Sequence, residues 1–280
     1  MYRVGEQPAW FVSEYGFWTI GPQFAKFADP PTWPPDASLL REWVSRLSFI
    51  GSTVSFAGRP ERYGSLERWA DATESYGATL AKYQTEWFRA HRGAPFMGYR
   101  WHFWSDWWGY AGAGLVDVER VPKRTYAAFR DASRPLLVIG LAERSVVAPG
   151  TTSVRVVGVN DRSEPVEGQV AWTVHAARSA VFSPDPDGAR IGLPMPPDAD
   201  AKVAIERSRE LPVAEGTIAL AVGAEATAEL GTVDIALVPG QGRTLILRWD
   251  DPTTGAEENS VHLCCVPADA TLGAGLSELS

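Results

Sequence analysis

Cysteine is nearly absent. The chain holds two, Cys264 and Cys265, and they are neighbours. Adjacent cysteines rarely bridge each other, and two thiols build no disulfide framework. Alternation along residues 261–266 sends them to opposite faces of a last strand, where they read as reduced packing residues. Histidine is scarce as well: His91, His102, His175 and His262 are scattered, and no pair has metal-ligand spacing. No metal and no other cofactor is expected. No apolar run approaches membrane-spanning length, so no membrane partner is expected. Positive charge is in deficit, with 26 basic against 34 acidic residues, a net charge of -8 and no basic block. That balance argues against nucleic acid as a partner. The segment Met1-Tyr2-Arg3-Val4-Gly5-Glu6 has no apolar signal core. With the missing disulfide framework, this leans towards a cytoplasmic location.

Tryptophan is plentiful and unevenly placed. Of 12, Trp10, Trp18, Trp33, Trp43, Trp69, Trp87, Trp101, Trp104, Trp107 and Trp108 precede residue 110, and Trp172 and Trp249 follow. Indole faces stack on the apolar faces of sugars and also fill cores, and both readings fit here. At 280 residues, 45% hydrophobic and 21% charged, the chain has room for one large or two smaller globular domains. The aromatic bias divides it into an aromatic first part and a Val/Ala/Gly-rich second part.

The first part alternates strand and helix signals. Trp10 to Ser13 reads as a short buried strand, and Glu14 and then Gly16 end it. Pro22, Pro30, Pro31, Pro34 and Pro35 make the next stretch a long irregular loop. Asp36 is placed to cap a helix from about Ala37 to Phe49, and Gly51 to Gly64 is loop-like again. Ser65 caps a longer helix from Leu66 to about His91, with Leu66, Trp69, Ala70, Thr73, Tyr76, Leu80, Tyr83 and Trp87 on one face and Gly93 as its stop. Pro95 to Phe103 is the next strand, and strand–helix–strand is the unit of a parallel sheet. From Leu136 the texture changes to short alternating runs: 153–159, 166–174, 202–205, 217–222, 233–238, 243–249 and 261–266. Turn material such as Ala148-Pro149-Gly150 and Asp185-Pro186-Asp187-Gly188 separates them. That spacing predicts an all-β sandwich. Asp269 to Ser280 is small and polar, as in a loosely held tail.

A carboxylate at the carboxyl end of a buried strand is either an ordinary loop residue or a catalytic group of the kind barrel enzymes carry. Phe11-Val12-Ser13-Glu14-Tyr15-Gly16-Phe17 resembles the nucleophile segment of glycoside hydrolase family 2, in particular its β-mannosidase-like branch. Three further segments follow in the family's order. Trp33-Pro34-Pro35 resembles its Trp-Pro-Pro stretch. Gly98, Asp106 and Trp108 fit its eighth-strand frame, with His102 where a Trp is usual, or Trp101 in that place after a one-residue shift. Arg120-Val121-Pro122-Lys123 resembles the opening of its closing helix. Together these cover about half of the chain.

The resemblance implies an α/β plus all-β chain: the last two βα units of a TIM (β/α)8 barrel over 1–134, an immunoglobulin-like β-sandwich over 135–267, and a tail over 268–280. It implies a retaining exo-β-glycosidase acting on β-linked oligosaccharides. β-Mannosides come first, then β-galactosides or β-glucuronides. Glu14 would be the nucleophile, with Trp101, His102, Asp106, Trp104 and Trp18 as substrate-binding residues. The family's acid/base Glu follows an Asn on an earlier barrel strand. The Asn pairs here, Asn160-Asp161 and Asn259-Ser260, fall in the β-rich part. The acid/base is therefore expected from a missing N-terminal barrel portion or from another chain, and this chain alone is expected to be inactive. Two readings from other classes stay open. One is a non-catalytic carbohydrate-binding protein that uses the Trp-rich half. The other is an assembly piece that completes its barrel with another chain and oligomerises in isolation.

Overall fold

The computed structural model describes residues 3–4, 7–8, 10–17, 19, 63–93, 96–106, 112–144, 146–177, 211–239 and 241–265. The expected helix at 37–49, the strand at 202–205, Trp18, the Trp33-Pro34-Pro35 stretch, Trp107, Trp108 and the tail lie outside them. The chain forms two compact units, with a division between Arg134 and Pro135.

In the first unit, β1 (Arg3–Val4) pairs with β2 (Gln7–Pro8), and β3 (Trp10–Tyr15) precedes the helix α1 (Leu66–Ala90). β4 (Phe96–Trp101), β5 (Phe103–Ser105), β6 (Gly114–Val116) and the helix α2 (Arg124–Ala132) follow. Ser65 Oγ accepts the Arg68 N–H and caps α1, as its sequence predicts. Past the helix end, Gly93 sits at φ +88°, where a side chain would be strained, and its N–H donates to Phe96 O to turn the chain into β4. β3 runs parallel to β4, and β5 parallel to β6. The core joins Tyr15, Ala81, Trp101 and Leu115, with Phe88, Tyr99 and Phe129 packed against it.

Two expectations fail locally. β3 is a strand but not a buried one, since Trp10, Phe11, Ser13 and Glu14 are all exposed. The apolar face drawn along α1 also drifts at its end. Trp87 is exposed while Ala81, Thr85 and Arg89 are buried, because Thr85 and Arg89 make polar contacts with Tyr15 and with Ala132 O.

The second unit is mostly β-sheet. Its strands are β7 (Leu136–Leu141), β8 (Val146–Val147), β9 (Gly150–Asn160), β10 (Val166–Ala177), β11 (Ala214–Val222), β12 (Ala226–Leu237), β13 (Gly242–Asp251) and β14 (Gly255–Cys265). They form a sheet of order β11-β10-β13-β14-β8 and a second of order β12-β9-β7. Leu136, Leu137, Ile139, Val154, Val156 and Val159 of the smaller sheet and Leu245, Leu247, Val261 and Leu263 of the larger are fully buried or nearly so. The sheets meet closely at Gly140, where an added Cβ would lie 2.6 Å from Val261 Cγ2. Asn259 Nδ2 donates to Val138 O across the same gap. This arrangement is compatible with a β-sandwich. Cys264 and Cys265 are in no disulfide, are half-buried and buried respectively, and burial pushes both thiols up, away from reactivity.

Candidate functional site

Glu14 owes its position to an irregularity in β3. Val12 pairs with Tyr99 and Tyr15 with Trp101, so three steps along β3 match two along β4. The extra residue makes a bulge at Ser13-Glu14, breaks the inside–outside alternation and leaves both side chains exposed. Immediately after the bulge, Tyr15 anchors the strand. Its ring stands edge-on to Phe88, Tyr99 and Trp101, and its hydroxyl shares a 2.7 Å hydrogen bond with Thr85 Oγ1 of α1. Burial drives the Tyr15 phenol well above its ordinary pKa, and the Thr85 bond only partly opposes this. The phenol is a fixed anchor and not an acid.

His102 follows the last residue of β4, and its N–H donates to Tyr15 O at 2.8 Å. Its Nδ1 lies 3.2 Å from Glu14 Oε2, with side-chain exposures of 27% and 57%. That is within ion-pair reach, but the contact is not aligned as a hydrogen bond, and Nδ1 is closed off from solvent. Sequence reasoning named both residues, and the fold brings them together at the carboxyl ends of adjacent parallel strands.

Asp106 and Trp101 lie inward. Asp106 Oδ2 accepts from Lys123 Nζ at 2.9 Å and Oδ1 from the Gly114 N–H at 2.7 Å, with both charged side chains buried. Gly112 and Gly114 leave room for this carboxylate. A Cβ on Gly112 would lie 2.0 Å from Asp106 Oδ1, and one on Gly114 2.3 Å from the Asp106 nitrogen. Burial pushes the Asp106 carboxyl up, against the pull of Lys123 and the Gly114 N–H. Trp101 is buried, and its Nε1 donates to Ala113 O at 2.5 Å. Trp104 is exposed, with its ring edge-on to Tyr126 of α2 at 6.2 Å.

Glu74 of α1 is a polar residue that sequence reasoning missed. Lys123, the N-cap of α2, makes no side-chain cap bond, and Glu74 Oε2 instead lies 3.4 Å from the Arg124 nitrogen at that helix start. Nothing local in the sequence links Glu74 to a helix 50 residues on. Arg120, at φ +67°, donates to Ser105 Oγ. Among the described residues, no group of three or more His, Cys, Asp or Glu side chains is set to hold a metal.

No known family profile matches the chain's sequence, and no curated protein does. Solved structures do match its fold. Over 91% of this chain it is similar to the β-D-mannosidase from Dictyoglomus thermophilum, with 15% identity and a TM-score of 0.55. Over 91% it is also similar to the Amycolatopsis orientalis exo-chitosanase CsxA in complex with PNP-β-D-glucosamine, with 16% identity and a TM-score of 0.57. The chain shares its fold with part of each of these two proteins. The chain spans 27% of the length of each of these proteins. At such identities the likeness speaks for the fold and leaves the chemistry of Glu14 to be argued from its own geometry.

Proposed function

We propose that this chain is the C-terminal segment of a retaining exo-β-glycosidase of the family 2 type. Glu14 acts as nucleophile, and the acid/base is supplied from outside the chain. The observation that carries this reading is Glu14 itself. It is a solvent-facing carboxylate in a bulge at the carboxyl end of a strand parallel to its neighbour, next to an anchored Tyr15 and in contact with His102. Catalytic groups of (β/α)8 enzymes stand at that end of the strands. The first unit is accordingly read as the last two βα units of such a barrel, and the second as an immunoglobulin-like sandwich. The fold shared with a β-mannosidase and an exo-chitosanase supports the same reading.

In this scheme a β-linked sugar binds over Glu14. The carboxylate attacks the anomeric carbon while an acid about 5 Å away protonates the leaving oxygen. The glycosyl-enzyme is then hydrolysed with that same acid acting as base. His102 stands beside Glu14, and the exposed Trp104 faces the substrate, with Trp18 as a further sugar-stacking residue. Trp101 and Asp106 support the site from within the core.

Glu14→Gln in a polypeptide that carries this segment with its remaining barrel strands should lower hydrolysis of p-nitrophenyl β-mannoside by about four orders of magnitude. Azide should rescue Glu14→Gly by forming the glycosyl azide of opposite anomeric configuration. Near-normal turnover by Glu14→Gln would overturn the assignment. The 280-residue chain alone should hydrolyse none of the β-mannoside, β-galactoside and β-glucuronide substrates. Activity that Glu14→Gln removes would mean that the second carboxylate comes from this chain or a partner copy.

A further inference from the structure

We propose that His102 is the positioning residue of Glu14: its Nδ1 carries a proton and donates it to Oε2, holding the carboxylate in one orientation. Three observations converge on this. Nδ1 is closed off from solvent and has no aligned partner, while the Glu14 oxygen stands 3.2 Å away. A buried ring nitrogen is costly to leave unsatisfied, so a small rotation that aligns this bond is favoured. The two residues are also tied through the backbone, since the His102 N–H donates to Tyr15 O, the carbonyl next to Glu14. Finally, Phe103 stands against the imidazole with ring centroids 3.7 Å apart and planes at 64°, which limits how far the ring can swing.

Among the described residues, the neighbouring charges leave this pairing alone. Asp106 is committed to Lys123, Arg120 reaches Ser105, and Arg100 is exposed on β4 itself. Glu14 is the charged group that faces the ring from β3. The choice of nitrogen follows. A neutral imidazole protonated at Nε2 would turn its Nδ1 lone pair towards a carboxylate oxygen, whereas the Nδ1–H form donates to it, as does the imidazolium. The carboxylate therefore selects the tautomer, and the tautomer in turn fixes the carboxylate. An exposed Glu otherwise samples many rotamers, and a nucleophile gains from being held in line. The functional consequence rests on Glu14 being the nucleophile. The pairing itself does not.

The test is the tautomeric state of His102, read from long-range proton–nitrogen correlation spectra of the 280-residue chain at alkaline pH, with the other three histidines as references. The expected result is an Nδ1–H ring at His102 that reverts to Nε2–H in Glu14→Ala. That side chain is exposed, so its truncation leaves the fold intact. An Nε2–H ring in the unaltered chain, or a tautomer indifferent to Glu14→Ala, overturns the proposal. In the longer glycosidase polypeptide, His102→Asn places an N–H near the same point and should keep kcat within a few-fold. His102→Leu should lower kcat about tenfold at unchanged KM. Equal losses in the two variants would also overturn it. A coupled tautomer without any glycosidase activity would sink the nucleophile assignment and leave the pairing standing.

Discussion

Lys123 reaches Asp106 from 17 positions away and closes a buried ion pair whose carboxylate is already pushed up by burial. Replacing a buried pair wholesale can be neutral, but removing one partner strands the other's charge. Lys123→Met should therefore cost about 3 kcal/mol or more. The loss must also depend on pH in a definite direction. Without the ammonium, the folded-state pKa of Asp106 rises further above its unfolded value. Its contribution is then fully present below the unfolded value, about 3.9, and is lost as pH rises through the folded one. Urea titrations at two pH values check this. The Lys123→Met penalty should be larger at pH 8 than at pH 5, and a pH-independent penalty would mean that Asp106 does not depend on Lys123.

At the scale of elements, Gly77 sets how closely α1 approaches its surroundings. An added Cβ there would lie 2.5 Å from Thr19 Cγ2 and 3.4 Å from Thr125 Cγ2. Helix propensity alone favours Gly→Ala by about 1 kcal/mol, while overpacking costs about 1–3. The clash should win. Gly77→Ala should lower the denaturation midpoint, and Thr19→Ser, which removes the clashing methyl, should restore it in the double variant. If Gly77→Ala stabilises on its own, the close approach is not what the sequence spends that glycine on.

In the second unit the β13–β14 hairpin closes on Asp251, whose Oδ1 accepts the Thr253 and Thr254 N–H groups and whose two oxygens both lie 2.7 Å from Arg162 Nη2. Burial alone would raise this carboxyl, but Arg162 and the two N–H groups hold it below its ordinary value. Its stabilisation is therefore present above about pH 4, the unfolded value, and is lost as pH falls through the lower folded one. Arg162→Ala should cost about 2 kcal/mol at neutral pH, and less once Asp251 is protonated in both states. Acid unfolding followed by circular dichroism should show the variant and the parent converging as pH falls.

What the sequence made legible follows from range. Ser65, Gly93 and the alternating runs after Leu136 act within a few residues, and the helix and, among the described residues, the strands they mark are present. Glu14 and His102 were found through a short motif and its strand spacing. The bulge that exposes Ser13 and Glu14 depends on pairing with β4, and the inward turn of Trp101 depends on the carbonyl of Ala113. The cap that Glu74 offers α2 likewise joins residues 50 positions apart. None of these leaves a local pattern.

At the scale of the whole molecule, the described residues of β3 and β4 carry an unusual surface. A parallel strand pair is ordinarily covered on both faces, because the connections between its strands bring helices to them. β3 and β4 pack inward through Tyr15, Tyr99 and Trp101, yet Trp10 and Phe11 on β3 are 55% and 60% exposed and Met97 on β4 is 58% exposed. Large apolar side chains bared on adjacent strands mark a surface made to be covered. If further barrel strands cover it in the longer polypeptide, the isolated 280-residue chain has only copies of itself to use. Sedimentation velocity should then show concentration-dependent association of the chain, and Phe11→Ser combined with Met97→Ser should shift it towards monomer without lowering its helix content. A chain that stays monomeric at high concentration would mean that β3 and β4 need no cover, and the segment reading of the first unit would lose its main physical consequence.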